Sequence, residues 1–394
     1  MRKKGLVNGG LLLGSVLATF LLLEIVVERY FITSTPLKFH FALSDSARWL
    51  AQSSKRGPLP SHYIALVGDS YAQGKGDWLL QADPDHNSPF HSAHLLQSAT
   101  GRDVVSFGRR HRGSIGGWVV EPTALFGFLR KHVDDELEQP EQVLAYFYAG
   151  NDVTDNLADL RGNFLAQHDD AQIADDAALD AFMEAEAQRR RGLGALPWLP
   201  LHRGWLPSAV WRVMGNMLHG HEDKDIADGG VPTGIVNLAR VADREIALPD
   251  GLQGPALDVD EAELEQALRV TRVALARLHR LFEPARLTVV YIPSVLESYP
   301  WTSAQISYAK RAGSGSETGA TAQLWQRSQL LCRRVQQIAQ GMGAAFVDAR
   351  KAVRAAAQNG LVHGPRDWLH FNQAGYQALV AAIVDHPATD CASL

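Results

Sequence analysis

Cysteine is nearly absent from this chain: Cys332 and Cys391 are the only two in 394 residues. That excludes a cysteine-rich zinc module or a disulfide framework; one bridge can form, and none is predicted. Charge of a single sign is lacking too, since 38 Lys and Arg against 43 Asp and Glu leave a net charge of −5. No tract rich in Lys and Arg is interleaved with aromatic residues, so nucleic acid is not expected as a partner. His86, His91 and His94 lie close together, with His91 and His94 three apart on one predicted helical face. No Glu stands at the spacing of a zinc-protease motif, so they read as satisfied histidines and no metal site is expected. What remains, 46% hydrophobic and 21% charged residues, describes a globular protein of one large or two modest domains.

The longest apolar run is N-terminal. After Arg2, Lys3 and Lys4, only Asn8 and Glu24 are strongly polar between Gly5 and Val27. At about 1.5 Å per residue this covers a hydrocarbon core of about 30 Å, so a membrane-spanning helix is expected. The basic cluster ahead of it keeps the N-terminus cytoplasmic and puts the rest on the periplasmic or extracellular side of the inner membrane. A cleaved signal peptide is the alternative, but Glu24, Val26, Val27 and Glu28 stand where a small-residue cleavage site belongs.

The chemistry is concentrated further on. Tyr63 to Val67 is a short apolar run ending in Gly68, Asp69 and Ser70. It reads as a buried parallel strand with a hydroxyl at its carboxyl end, where open α/β sheets place their ligands. A serine needs a base, an orienting carboxylate and oxyanion donors. Asp367 and His370, three residues apart near the C-terminus, supply the carboxylate and the base, and Asn151 after the apolar run Val143–Tyr148 offers a side-chain amide.

At these residues the sequence resembles the SGNH (GDSL-type) hydrolases, whose blocks are Gly-Asp-Ser, an oxyanion glycine, Gly-x-Asn-Asp and Asp-x-x-His. The resemblance implies Ser70 as nucleophile, His370 as general base, Asp367 as its partner and Asn151 as an oxyanion donor. It implies neither metal nor cofactor. In the third block Ala149 replaces the expected glycine, and the glycine follows as Gly150. For the glycine block two residues compete, Gly108 and Gly113. Gly113 is favoured because the family's donor glycine closes the loop ahead of a small polar residue, here Ser114.

Strands are expected at Asp103–Phe107, Val143–Tyr148, Leu287–Ile292 and Ala344–Val347, and helices at 88–99, Gly117–His132, Glu261–Phe282 and Thr321–Gly341. This βαβ alternation implies an α/β domain with a five-stranded parallel sheet. By family topology it is a flavodoxin-like three-layer domain of order 2-1-3-4-5, bringing Ser70 and Asn151 together at the switch point. The expected divisions are a cytoplasmic tip and anchor (1–27), a juxtamembrane linker (28–61), the first half of the catalytic domain (62–154), an insertion or cap (155–258), and the second half (259–394). The insertion is acidic at first, at Asp169, Asp170, Asp175, Asp176, Asp180, Glu184 and Glu186. It then carries Trp198, Trp205 and Trp211, which suit a cap, a bilayer-resting surface or a small subdomain core.

Arg109, Arg110 and Arg112 surround His111 in the loop between the two glycines. They read either as holding an anionic substrate or as a solvated loop paired with local acids. The expected activity is a serine esterase acting through an acyl-serine on an ester, an O-acetyl group above all, of an envelope or extracellular polysaccharide. A polysaccharide O-acetyltransferase, a lysophospholipase-like lipid esterase and a non-catalytic carbohydrate-binding subunit are the alternatives.

Overall fold

A computed structural model describes residues 2–26, 45–57, 59–76, 92–110, 112–132, 137–168, 170–191, 236–311, 315–385 and 389–391. The Trp-rich stretch of the insertion, His86 and His91, and the start of the helix expected at 88–99 lie outside these residues. The described part of that helix is Ser92–Thr100.

Five parallel strands form the central sheet: β1 (Ile64–Val67), β2 (Val104–Ser106), β3 (Gln142–Tyr148), β6 (Arg286–Ile292) and β9 (Ala345–Asp348). Their order is β2-β1-β3-β6-β9, all pairings parallel, which is the arrangement expected from the sequence. Parallel strands covered on both faces carry nearly continuous apolar runs. Alternate residues of each strand therefore enter opposite cores. Ala65, Val67, Val143, Ala145 and Phe147 join one cluster, and Ile64, Leu66, Leu144 and Tyr146 join the other.

Two long helices flank the first core. Glu261–Phe282 begins at a capping box in which the Asp260 carboxylate accepts from the Glu263 N–H. Thr321–Gly341 carries Cys332, which is disulfide-bonded to Cys391. The bridge ties the C-terminal tail to the sheet, where the Thr389 N–H donates to the Phe346 carbonyl at 2.8 Å.

Three stretches differ from the sequence reading. Residues 45–61 are more than a linker: the helix Asp45–Ala51 buries Trp49 and Leu50 in the first core. The helix expected from Gly117 is a π-helical turn, Ile115–Val120, running into an α-helix, Glu121–His132. Between β6 and Thr321, where no strand was expected, β7 (Gln305–Ala309) and β8 (Ser316–Ala320) form an antiparallel hairpin.

The insertion's described part packs on the domain. Its helix Asp176–Arg191 buries Leu179, Phe182, Met183 and Ala187. Its acids at every fourth position meet arginines of the Glu261–Phe282 helix: Arg272–Asp176 at 2.8 Å, Arg277–Asp180 at 2.9 Å, and Arg277–Glu184. A second hairpin follows, β4 (Leu238–Val241) with β5 (Arg244–Ala247).

The N-terminal helix is Arg2–Val26. Leu11, Leu12, Leu13, Val16, Leu17 and Leu22 are all exposed on it. Its described side chains run from Val7 to Leu23 with Val26. Among the described residues no helix is long and apolar enough to cross a membrane.

Candidate active site

The site forms where β1 and β3, neighbours at the switch point, both end. Beyond Val67 the chain turns through Gly68, whose φ of +145° strongly favours glycine. A side chain there would also press on Tyr146 at 3.0 Å. The Gly68 N–H donates to the Gly117 carbonyl, and its own carbonyl accepts from the Arg109 N–H, both at 3.1 Å. One helical turn follows, Ser70–Gln73, capped by Asp69, whose Oδ1 accepts from the Tyr71 N–H at 2.9 Å. Ser70 is thus held at the start of a turn fixed at both ends, since Gly74 closes it in the left-handed conformation.

His370 reaches Ser70 from the far end of the chain. The Ser70 hydroxyl donates to His370 Nε2 at 2.8 Å, and His370 Nδ1–H donates to Asp367 Oδ2 at 2.7 Å. The carboxylate therefore selects the tautomer that leaves Nε2 as acceptor. Asp367 Oδ1 accepts the Leu369 N–H at 2.8 Å and the His370 N–H at 3.1 Å, closing the loop on its own carboxylate. Burial pushes the Asp367 carboxyl upward, but the hydrogen bond and charge of His370 and the two amides outweigh it and hold the group below its ordinary value. Asp367 is thereby kept as an anion facing the imidazole.

Two tyrosines brace that loop, and neither was singled out from the sequence. Tyr71 donates to the Leu369 carbonyl at 2.9 Å; the Tyr148 hydroxyl donates to Gln253 Oε1 at 2.8 Å and lies 3.3 Å from the same Leu369 carbonyl, and the two rings are 4.3 Å apart. As buried aromatics near strand ends they look like ordinary core residues, so no motif marks them.

Asn151 caps the helix Asp152–Asp159 at the end of β3. Its carboxamide hydrogen-bonds to the Asp69 carboxylate, while its Oδ1 is sealed without a partner. A carboxamide has two N–H donors, so one on Asp69 leaves a second for an incoming oxygen. Gly150 must be glycine because a Cβ there would collide with the Tyr148 ring. The displaced glycine of this motif thus follows from the tyrosine beneath it.

The two competing glycines are placed differently. Gly108 packs behind the Ser70–Gln73 turn, where a Cβ would lie 2.6 Å from the Ala72 Cβ, and its N–H is occupied by Ser106 Oγ at 3.0 Å. Gly113 lies against the Asp152–Asp159 helix, where a Cβ would meet Asn156 Oδ1 at 2.5 Å. Asn156, absent from the sequence-based candidates, is the clamp: its Oδ1 accepts the Ser114 N–H at 2.8 Å. Its amide donates to Ser114 Oγ, the Ala267 carbonyl and Thr271 Oγ1. Gly113 and Asn151 are therefore carried by one short helix.

The arginines go separate ways. Arg109 pairs with Glu121 at 3.0 Å, and Glu121 is also held by Arg190 at 3.1 Å. The Arg110 N–H donates to Gln73 Oε1. Arg112 faces Asp155 and Asp159, and lines a cavity of about 180 Å³ with Glu121, Glu186, Arg189 and Arg190.

Among the described residues a single trio of potential metal ligands is compact, Cys332, Asp348 and Cys391. Both sulfurs are in the disulfide and Asp348 pairs with buried Arg350 at 2.8 Å, so the trio does not fit a metal.

No family model matches the sequence, and no curated protein does. Among solved structures, the chain is similar to LAE5, described as an alpha/beta hydrolase enzyme from the metagenome of Lake Arreo, Spain. The identity is 11%, the match covers 83% of this chain and 95% of that one, and the TM-score is 0.33. A likeness at that level carries no argument about chemistry, which must come from the geometry.

Proposed function

We propose that this protein is a serine esterase of the SGNH type, cleaving an ester, an O-acetyl group above all, of an envelope or extracellular polysaccharide. The observation that carries the reading is the hydrogen-bond chain from Ser70 through His370 to Asp367. In this reading Ser70 Oγ attacks the ester carbonyl as its proton passes to His370 Nε2. The C–O bond to the alcohol then breaks and the imidazolium returns the proton to the leaving oxygen, leaving an acyl-serine. Water repeats the sequence in reverse, with His370 as base, to release the acid. Asp367 stabilises the imidazolium, and the second N–H of Asn151 with the Gly113 amide meets the tetrahedral oxyanion.

The substrate class rests on location and charge. The apolar run Gly5–Val27, with exposed leucines along its helix, supports an inner-membrane anchor with the domain outside. A Cys332–Cys391 bridge suits an oxidising compartment. Arg109 and Arg110 are proposed to favour an anionic polymer.

The test is turnover by the purified full-length chain in detergent, on a chromogenic acetyl ester and on acetylated polysaccharide, with acyl-enzyme trapped and weighed. An acetyl adduct on Ser70 with released acetate supports the esterase. Acetyl passing to an added glycan with no acetate released makes it a transferase. No adduct and no turnover on either substrate overturns the reading.

A further inference from the structure

Behind Ser70 lies a cluster of carboxyl groups that proton transfer through His370 does not use. Asp69 follows β1 and caps the Ser70–Gln73 turn, while Asp152 and Asp155 follow Asn151 on the helix after β3. Asp69 and Asp152 are buried, and Asp155 is half-buried with its Oδ2 sealed. Asp159, one turn on, and Arg112, from the loop between the glycines, complete the surroundings.

Donors are shared unequally among these acids. Asp69 receives the Tyr71 N–H and the Asn151 carboxamide. Asp152 Oδ2 receives one, the Tyr148 N–H at 3.0 Å. Three oxygens are left sealed and without a partner: Asn151 Oδ1, Asp152 Oδ1 and Asp155 Oδ2. All three are acceptors when the acids are ionised, so they cannot satisfy one another, and a sealed acceptor without a donor costs about 1–3 kcal/mol. Protonating the two acids turns two of the acceptors into donors.

We propose that Asp152 and Asp155 are positioning residues that act in their protonated form, whose O–H groups supply the donors this cluster lacks and so hold the Asn151 carboxamide toward the substrate oxygen. The electrostatics run the same way. Burial, then the charges of Asp69 and Asp155, raise the Asp152 carboxyl well above the usual range. Burial, then Asp69 and Asp159, push Asp155 up to about 7 against the pull of Arg112. A second carboxylate charge so near Asn151 would oppose the negative charge of the tetrahedral intermediate. The positioning role rests on the esterase reading; the protonation does not.

The test compares the full-length protein with Asp155→Asn, and with Asp152→Asn as a parallel variant, by two measurements. The first is kcat/KM on a neutral acetyl ester against pH. Wild type loses activity about tenfold or more as pH climbs well above about 7, and Asp155→Asn keeps its value through that range. The second is the urea midpoint against pH in a Ser70→Ala background, which needs no activity. An acid whose folded pKa is raised binds its proton more tightly folded than unfolded, so it loses stability as pH rises from its unfolded value of about 3.9 to its folded one. Asp155→Asn must show a shallower decline between about pH 4 and about pH 8, since Asp152 still contributes its own. Coincident stability slopes overturn the proposal whatever the activity. Different slopes with superimposable pH–rate profiles leave the protons in place and overturn the positioning role. Different slopes with no ester turnover at all bring down the esterase reading and the positioning role with it, and leave the protonation standing.

Discussion

Gly117 lies directly against Gly68: a methyl group on Gly117 would come within 2.7 Å of the Gly68 carbonyl carbon and oxygen, and the Gly68 N–H donates to the Gly117 carbonyl at 3.1 Å. The π-helical turn is thus seated on the backbone that presents Ser70. Gly117→Ala should displace that backbone, cost about 1–3 kcal/mol and lower kcat more than it raises KM. Gly162, with nothing within 4 Å of a built Cβ, is the control. Gly162→Ala should unfold at the same or higher urea concentration and turn over ester normally.

Ser70→Ala and His370→Ala should each lower kcat by about 10³-fold or more, and the double variant by little more than either. Groups that act as one unit lose their effect together. Losses that multiply in the double variant would mean that the two act independently and that the 2.8 Å contact is not the reacting pair. Circular dichroism of the three variants should match wild type.

Asp367→Asn should leave His370 without its carboxylate and reduce kcat strongly, with KM little changed. Its effect on stability has a definite sign. The folded Asp367 carboxyl lies below its ordinary value, so it contributes stability above its unfolded pKa that is lost as pH falls through the folded one. Urea midpoints should therefore show wild type ahead of Asp367→Asn near neutral pH, the gap closing in acid. A gap that widens in acid contradicts this.

Arg109→Gln with Arg110→Gln should reduce kcat/KM on an anionic polysaccharide by about tenfold, with a neutral acetyl ester nearly unaffected. Arg112 is left in place because it faces Asp155 and Asp159. Salt should reproduce part of the loss, as the screening length contracts from about 10 Å at 0.1 M to about 3 Å at 1 M. Equal losses on both substrates would make these arginines part of the loop's architecture, where Arg109 already holds Glu121.

The intact protein should sediment with inner membranes and be released by detergent but not by salt. A fusion at the C-terminus should be active with a reporter that works only outside the cytoplasm. Release by salt alone would remove the anchor from the proposal.

Much of this architecture was legible because buried parallel strands announce themselves. Val143–Tyr148 is an unbroken apolar run and Leu287–Ile292 is interrupted only by Thr288, and the helices Glu261–Phe282 and Thr321–Gly341 occur within the bounds the pattern predicts. The β7–β8 hairpin was not legible, because Ser316–Ala320 is largely exposed and carries no apolar alternation. The π-helical turn reads as α because periodicity in Ile-Gly-Gly-Trp-Val-Val cannot separate the two. At the site, the hydroxyl, base and carboxylate stood out as a spaced set. The parts that support them did not. Asn156 is one polar residue among acids on a short helix, and its four hydrogen bonds exist only once residues 114, 267 and 271 are folded around it. The acidic half of the insertion, with Asp176, Asp180 and Glu184 at four-residue spacing, is matched by arginines about a hundred residues away on another helix.

Ser70 and His370 are separated by 300 residues, with every strand of the sheet after β1 made between them. During synthesis the serine, the Gly113 loop and the Asn151 helix emerge long before Asp367 and His370. On the proposed chemistry, a nascent or truncated chain that stops short of His370 holds a serine with no base and is silent. Turnover would then begin only after the last strand and the loop beyond it are in place, so that the onset of hydrolysis in a translation reaction would time the completion of the fold.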